Sequence, residues 1–143
     1  MTYVMEKELI ENINAQRAEA IEFSKQPGCW MGVYVEPSDT KYWSERVPSG
    51  TLKEFNRINL EEDAYYAVAD AYSKSYARSF DFASMTDAEV EAVFNDACAS
   101  MERERKWAEE EQLQENITRN KMCKDFGIDR QTLDRWLKEA EAA

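Results

Sequence analysis

The segment from Thr118 to Lys138 constrains the fold most, because two short helical patterns meet there at a glycine. Gly127 suits the left-handed backbone conformation that commonly ends a helix. Asp129 follows as a suitable N-cap, since its carboxylate can accept hydrogen bonds from the free amides of the next turn. The pattern predicts two helices joined by a tight turn, with these apolar residues between them: Met122, Cys123, Phe126, Ile128, Leu133, Trp136 and Leu137.

Three earlier positions have the spacing of a capping box, in which a hydroxyl or amide residue is followed three positions later by glutamate. The pairs are Thr51 with Glu54, Asn59 with Glu62, and Thr86 with Glu89. We expect a short helix after Thr51 and a longer one from Asn59 to about Phe80. The third pair would open a long connecting helix that ends near Asn116. Apolar periodicity predicts a further helix over residues 3–26, so the chain should be mainly α-helical.

Residues 29–47 differ from the rest in having β propensity. Residues 30–35 and 42–47 are rich in β-prone side chains, and residues 36–39 are typical of a turn. We predict a short β-hairpin here, packed against the helices because a two-stranded ribbon is only marginally stable alone. An irregular, aromatic-rich loop is the alternative.

Aromatic residues recur along the helix expected from Asn59, at Tyr65, Tyr66, Tyr72, Tyr76 and Phe80. Most of them share one face, and an aromatic stripe at helical spacing usually belongs to a core or an interface. A surface on which nucleic-acid bases or a nucleotide stack is the sharper alternative.

The charge distribution divides the chain into two parts. The 143 residues have a net charge of −11. Residues 118–143 contain six basic and five acidic residues, which leaves 12 basic and 24 acidic residues, a net charge of −12, for residues 1–117. We therefore expect an acidic, aromatic-rich helical body over residues 1–83. Residues 84–143 would form the long helix and a more basic C-terminal module.

Several classes of protein are disfavoured by the composition. The chain has no histidine, which removes the commonest general base and metal ligand, and we find no nucleotide-binding or nucleophile motif. We therefore expect neither an enzyme nor a bound metal or cofactor. Three widely spaced cysteines suit a reducing cytoplasm. Acidic residues near the N-terminus do not resemble a signal peptide, and no apolar run is long enough to span a membrane, so we expect a cytoplasmic protein without a membrane partner.

Residues 119–138 resemble the helix-turn-helix family of DNA-binding motifs. That family has a small residue four positions before the turn glycine, here Cys123, and a bulky apolar residue directly after it, here Ile128. Two more apolar anchors in the second helix correspond to Leu133 and Trp136. The sequence departs from the pattern in having cysteine where alanine is more usual, and Phe126 just before the turn. Residues 1–117 resemble no family that we recognise.

The resemblance implies that the second helix lies in the major groove of double-stranded DNA. If its apolar residues face inward, Arg130, Asp134 and their polar neighbours face outward. Leu113 and Ile117, at the end of the long helix, would supply the third wall of a three-helix core. The candidate DNA-binding residues are Arg119, Lys121, Lys124, Arg130, Gln131, Arg135 and Lys138.

Three hypotheses about function follow. The first is a small DNA-binding regulatory protein, a transcriptional regulator or phage-type accessory factor, whose acidic body forms a homodimer or recruits a protein partner. The alternative is an acidic protein-binding inhibitor or adaptor that imitates nucleic acid, such as a phage anti-defence factor, with a helix-turn-helix for autoregulation or docking. A third is a nucleotide or small-molecule binder that uses four aromatic residues of the expected hairpin: Trp30, Tyr34, Tyr42 and Trp43.

Overall fold

The computed structural model describes residues 2–143, which form six α-helices and one 3-10 turn. The helices are α1 (Lys7–Ser24), α2 (Thr40–Arg46), α3 (Leu52–Ala71), α4 (Lys74–Arg78), α5 (Asp87–Phe126) and α6 (Arg130–Ala142), with the 3-10 turn at Phe82–Ser84. The chain divides into two compact units, Met1–Phe94 and Asn95–Ala143, and α5 begins in the first and ends in the second. The mainly α-helical fold expected from the sequence is confirmed. None of the helices in residues 2–143 is long and apolar enough to cross a membrane.

The first unit has a core in which α1, α2 and α3 each bury large apolar side chains. Trp43 of α2 packs at a tilted angle against Phe55 of α3, with 6.0 Å between the ring centroids. The indole N–H of Trp43 donates a 3.0 Å hydrogen bond to the carbonyl of Glu36, so this buried polar atom is satisfied. The fully buried members of the cluster are Leu9, Ile13, Trp43, Val47 and Phe55.

The segment before α1 is attached to the connection between α2 and α3. The hydroxyl of Tyr3 donates to the carbonyls of Trp43 and Val47, at 3.1 and 2.7 Å. The amide of Glu6 donates to the carbonyl of Gly50 at 2.8 Å, and its carboxylate accepts from the first amide of α3 at 3.0 Å. Backbone groups at the end of α2, in the connection and at the start of α3 are therefore paired by residues 40 or more positions away in sequence.

The β-hairpin predicted over residues 29–47 is wrong, because no strand occurs within residues 2–143. Residues 40–46 form α2 instead, and Asp39 caps it by accepting from the amide of Tyr42 at 3.1 Å. The helix turns Trp43 into the core, where burying its large side chain outweighs the local β propensity. Residues 29–39 are irregular, as in the alternative.

The helix predicted from Asn59 to Phe80 is also wrong in its limits. Asn59 lies inside α3, which starts at Leu52 behind the Thr51 cap and ends at Ala71. A second short helix, α4, then starts behind a Ser73 cap. Residues on either side of Asn59 are buried along α3, so tertiary packing continues the helix through a sequence that also suits a start.

The long helix starts where the capping box at Thr86 predicts. The amide of Glu89 donates to the Thr86 hydroxyl at 3.2 Å, and the amide of Thr86 donates to the Glu89 carboxylate at 3.3 Å. The helix continues beyond the expected Asn116 to Phe126 and has 40 residues. Every side chain over residues 102–115 is exposed, which agrees with the charged, solvated half expected from the sequence.

Candidate nucleic-acid interface

The turn between α5 and α6 has the hydrogen bonding expected for a glycine-terminated helix. Gly127 adopts φ +66°, and the amide of Ile128 donates a 3.0 Å hydrogen bond back to the carbonyl of Cys123. Asp129 caps α6 by accepting from the amide of Thr132 at 2.7 Å, and this bond holds the pKa of Asp129 below its usual value. The sequence therefore predicted the local chemistry of this turn correctly.

An ion-pair network attaches α6 to α5 within the second unit. Asp134 of α6 accepts from Arg119 of α5 and from Arg130 of its own helix, each at 3.1 Å. Arg130 also donates to the amide oxygens of Asn116 and Asn120, both at 2.9 Å, and Arg119 pairs with Glu115 as well. The hydrogen bond from Arg130, the charge of that residue and the bond from Arg119 hold the pKa of Asp134 below its ordinary value.

This network changes the role expected for two of the seven candidate residues, Arg119 and Arg130. Arg130 and Asp134 bond to residues of α5 rather than projecting away from it. Arg119 bonds to an acidic side chain on each of the two helices. Both arginines are therefore already paired and hold α6 in place. The sequence did not predict this, because the partners lie 10 to 15 positions apart and meet only once the turn has formed.

The apolar contact between the two helices is small. Leu133 is buried and Ile128 and Leu137 are half-buried, whereas Trp136 is 48% exposed. Leu113 and Ile117 are also exposed, so the expected third wall of a three-helix core does not form. The physical reason is that α5 continues as one helix through Leu113 and Ile117 to Phe126, with no turn that would make its end a separate wall beside α6.

The outer face of α6 has three exposed polar side chains, Gln131, Arg135 and Lys138. Successive helical residues are rotated by about 100°, so these three lie within about 60° of one another and away from Leu133. We call Gln131, Arg135 and Lys138 the outer face. Within residues 2–143 neither Arg135 nor Lys138 forms an ion pair, so both remain available to a ligand.

The other two candidates, Lys121 and Lys124, are exposed on the last two turns of α5. No hydrogen bond or ion pair in the described part of the chain connects them to α6. The structure therefore brings Arg119 and Arg130 together through Asp134, and it leaves the two lysines as separate surface charges.

The first unit offers less support for a nucleotide or small-molecule site on the aromatic residues of the expected hairpin. Trp43 is fully buried, and Tyr34 packs against Phe55 with a centroid distance of 5.6 Å. Two of the four proposed stacking residues are therefore occupied by packing, and Tyr42 lies edge-on against Trp43 at 5.0 Å.

A cleft of about 650 Å³ opens elsewhere in this unit, next to Arg57. The guanidinium of Arg57 donates to Asp87 at 2.6 Å and to the carbonyls of Phe82 and Met85 at 2.7 Å. The bond to Asp87, and after it the nearby carboxylate of Glu61, raise the pKa of Arg57. Because these bonds already hold the guanidinium at the start of α5, Arg57 is not free to bind a ligand in the cleft.

Comparisons with protein-family models, with curated proteins and with solved structures give no match for this chain. Among residues 2–143, no cluster of three or more carboxylate or cysteine side chains is arranged to hold a metal ion.

Proposed function

We propose that this protein is a small DNA-binding regulatory protein that binds double-stranded DNA through its second unit, with α6 in the major groove. The observation that supports this most is the outer face, where Gln131, Arg135 and Lys138 lie side by side, exposed, on a capped helix. Arginine can bond to both acceptors of guanine and glutamine to both groups of adenine, whereas lysine contacts phosphates.

Arg119 and Arg130 have a positioning role in this proposal. The network through Asp134 fixes the rotation of α6 about its own axis, and this rotation decides which side chains face the DNA. Lys121 and Lys124 would add phosphate contacts that carry no sequence information.

The charge of the second unit limits how tightly one copy can bind. Residues 95–143 contain nine basic and twelve acidic residues, a net charge of −3. Because phosphate contacts supply much of the affinity of DNA-binding proteins, one copy should bind weakly. We therefore propose a homodimer that presents two α6 helices about one turn of DNA, roughly 34 Å, apart.

The test is a salt titration of binding to double-stranded genomic fragments, measured by fluorescence anisotropy. The double variant Arg135→Ala/Lys138→Ala should weaken binding at least about tenfold, and should reduce the slope of log K against log salt by about one through the lost phosphate contact of Lys138. The matched control is Arg103→Ala/Lys106→Ala, which removes two exposed cations from the same unit outside the outer face. Equal losses in the two double variants would reduce the effect to net charge and contradict a role for the outer face.

A second candidate function is favoured by the charge of the first unit, which contains nine basic and seventeen acidic residues over residues 1–94, a net charge of −8. This unit would bind a protein rather than DNA, as an inhibitor or adaptor does, because its field repels phosphates and attracts basic partners. The two functions are compatible, since they use different units.

A further inference from the structure

Residues 29–36 run without a turn or a bend, and two side chains of α1 hold them. The hydroxyl of Ser24 accepts from the amide of Met31 at 2.9 Å and donates to its carbonyl at 3.3 Å. The guanidinium of Arg17 donates to the carbonyl of Tyr34. The two anchors lie two turns apart on α1, about 10.5 Å, and three residues of extended chain cover about 10 Å. The chain therefore runs extended and antiparallel to α1.

Most other backbone groups of this stretch are unpaired. Within residues 2–143, the amides and carbonyls of Gly32 and Val33 form no hydrogen bond, and neither does the amide of Val35. A groove of about 220 Å³ lies beside them, and Tyr42 of α2 also lines it. We call residues 30–35 the extended segment. A row of unpaired backbone groups beside a groove is how a sheet edge takes up another strand.

The side chains of the extended segment suit a strand that is fixed at one end. Its residues are rich in β-prone types, and Trp30 is 81% and Val33 44% exposed. Tyr34 packs on the buried ring of Phe55 with 5.6 Å between centroids. A two-stranded ribbon is only marginally stable alone, but here one strand is already attached to a hydrophobic core.

Gly32, in the middle of the extended segment, is not required by the structure of a single chain. Its φ is not positive, and an added Cβ would make only an ordinary contact of 3.7 Å with the ring of Trp30. Glycine inside a strand commonly marks a place where another backbone approaches closely.

We propose that the extended segment pairs with the same segment of a second copy of this chain, as two antiparallel strands related by a two-fold axis. Residues 26–35 are the longest stretch of the chain without a charged side chain. Two units with a net charge of −8 repel each other, and an uncharged surface is where they can approach.

The composition of the extended segment also favours a second copy over other strands. Edge strands of monomeric proteins commonly carry lysine, another charge or proline, which prevent pairing between copies. Residues 29–35 carry none of these. Pairing about a two-fold axis uses the same surface of both copies, so it closes as a dimer and does not extend into a filament.

This inference gives an interface to the homodimer proposed above, and it rests on the proposed function for the need of two copies. The strand pairing itself is tested without DNA, so the two proposals can fail separately. A dimer that does not bind DNA would contradict the proposed function alone, and DNA binding by a monomer would contradict the pairing alone.

The first experiment is sedimentation equilibrium of the full-length protein, whose monomer has a mass of 16.7 kDa. We expect a reversible dimer with a dissociation constant on the order of 10–100 μM, because two six-residue strands bury less than the roughly 800 Å² per partner of a stable interface. Val33→Lys should weaken the dimer at least about tenfold, since it puts like charges on both strands. Val4→Lys is the matched control, because Val4 is 75% exposed outside the extended segment.

The second measurement is amide hydrogen exchange of the parent protein below and above the dissociation constant, which depends on no variant. Only every second residue of an edge strand bonds across an antiparallel pair. Protection should therefore rise with protein concentration at alternate amides of residues 32–35.

A protein that stays monomeric at millimolar concentration would overturn the proposal. So would a dimer in which residues 32–35 exchange as fast as in the monomer, or one that Val33→Lys leaves unchanged while circular dichroism shows a folded variant. Aggregation without a discrete dimer would contradict a closed pair. A monomer whose amides over residues 32–35 become protected only by an added synthetic peptide of residues 29–36 would assign the extended segment to a strand of a different protein.

Discussion

Gly50 is the residue at which the first unit most needs the absence of a side chain. Its φ is +67°, and its carbonyl accepts from the amide of Glu6 at 2.8 Å. An added Cβ would overlap the carbonyl oxygen of Val4 and lie 3.2 Å from the carbon of the same group. Both the backbone conformation and the close approach of the N-terminal segment therefore require glycine.

We predict that substitution of Gly50 causes a large loss of stability. Gly50→Ala should lower the free energy of unfolding by about 2–5 kcal/mol, from the cost of a left-handed alanine together with the clash against Val4. Gly28→Ala is the control, because Gly28 has a φ of +77° with no atom within 4 Å of the added Cβ. It should cost only about 1–2 kcal/mol. Urea unfolding followed by circular dichroism measures both, and equal losses would show that the contact with Val4 is unimportant.

At the scale of elements, α6 is attached to α5 by the ion pairs of Asp134 together with a small apolar contact. Leu133 is the one residue of α6 that is buried, among those that the structure describes. The two arginines that share the Asp134 carboxylate therefore carry much of the specificity of the contact.

The variant Asp134→Asn should loosen α6 at neutral pH, measured as faster amide hydrogen exchange over residues 130–142. Asp125→Asn is the control, since it removes an exposed acid of the same unit that is in no ion pair within residues 2–143. Unchanged exchange in Asp134→Asn would show that the network does not hold the helix.

The same carboxylate predicts how the attachment depends on pH. The pKa of Asp134 is lowered in the folded state, so its contribution is fully present above the ordinary aspartate value, about 3.9. It is lost as the pH falls through the lower folded-state pKa. After correction for intrinsic rates, wild-type exchange in α6 should stay constant from pH 7 down to the ordinary aspartate value, and should approach that of Asp134→Asn as the pH falls further. If the difference in exchange protection between the wild type and Asp134→Asn were the same at pH 7 and at pH 2, this prediction would be contradicted.

The elements also show which parts of the fold a sequence can predict. The capping box at Thr86 and the glycine turn at Gly127 were predicted because their hydrogen bonds join residues a few positions apart. The same spacing at Asn59 predicted a helix start that does not occur, because packing along α3 overrides a local start signal. The hairpin failed for a similar reason, because burial of Trp43 decides the structure of residues 40–46.

The sequence likewise predicts some features of the candidate site and not others. The exposure of Gln131, Arg135 and Lys138 follows from helical periodicity and was expected. Arg130 pairs with Asn116 and Asn120 only once α5 and α6 are packed together, which the sequence does not show. Its charge alone led to the prediction that it reads bases.

At the scale of the whole molecule, the two units have different surface chemistry. The first has a net charge of −8, and the second has a net charge of −3 with cations at its C-terminal end. The proposed functions assign double-stranded DNA to the second unit and a basic protein partner to the first.

The most direct test of DNA binding by α6 is an amide chemical-shift map of the ¹⁵N-labelled full-length protein titrated with duplex DNA in low salt. We predict that the largest changes occur over residues 129–139, on the outer face of α6, with smaller changes near Lys121 and Lys124. Changes confined to residues 2–94, or no change at millimolar DNA, would contradict it.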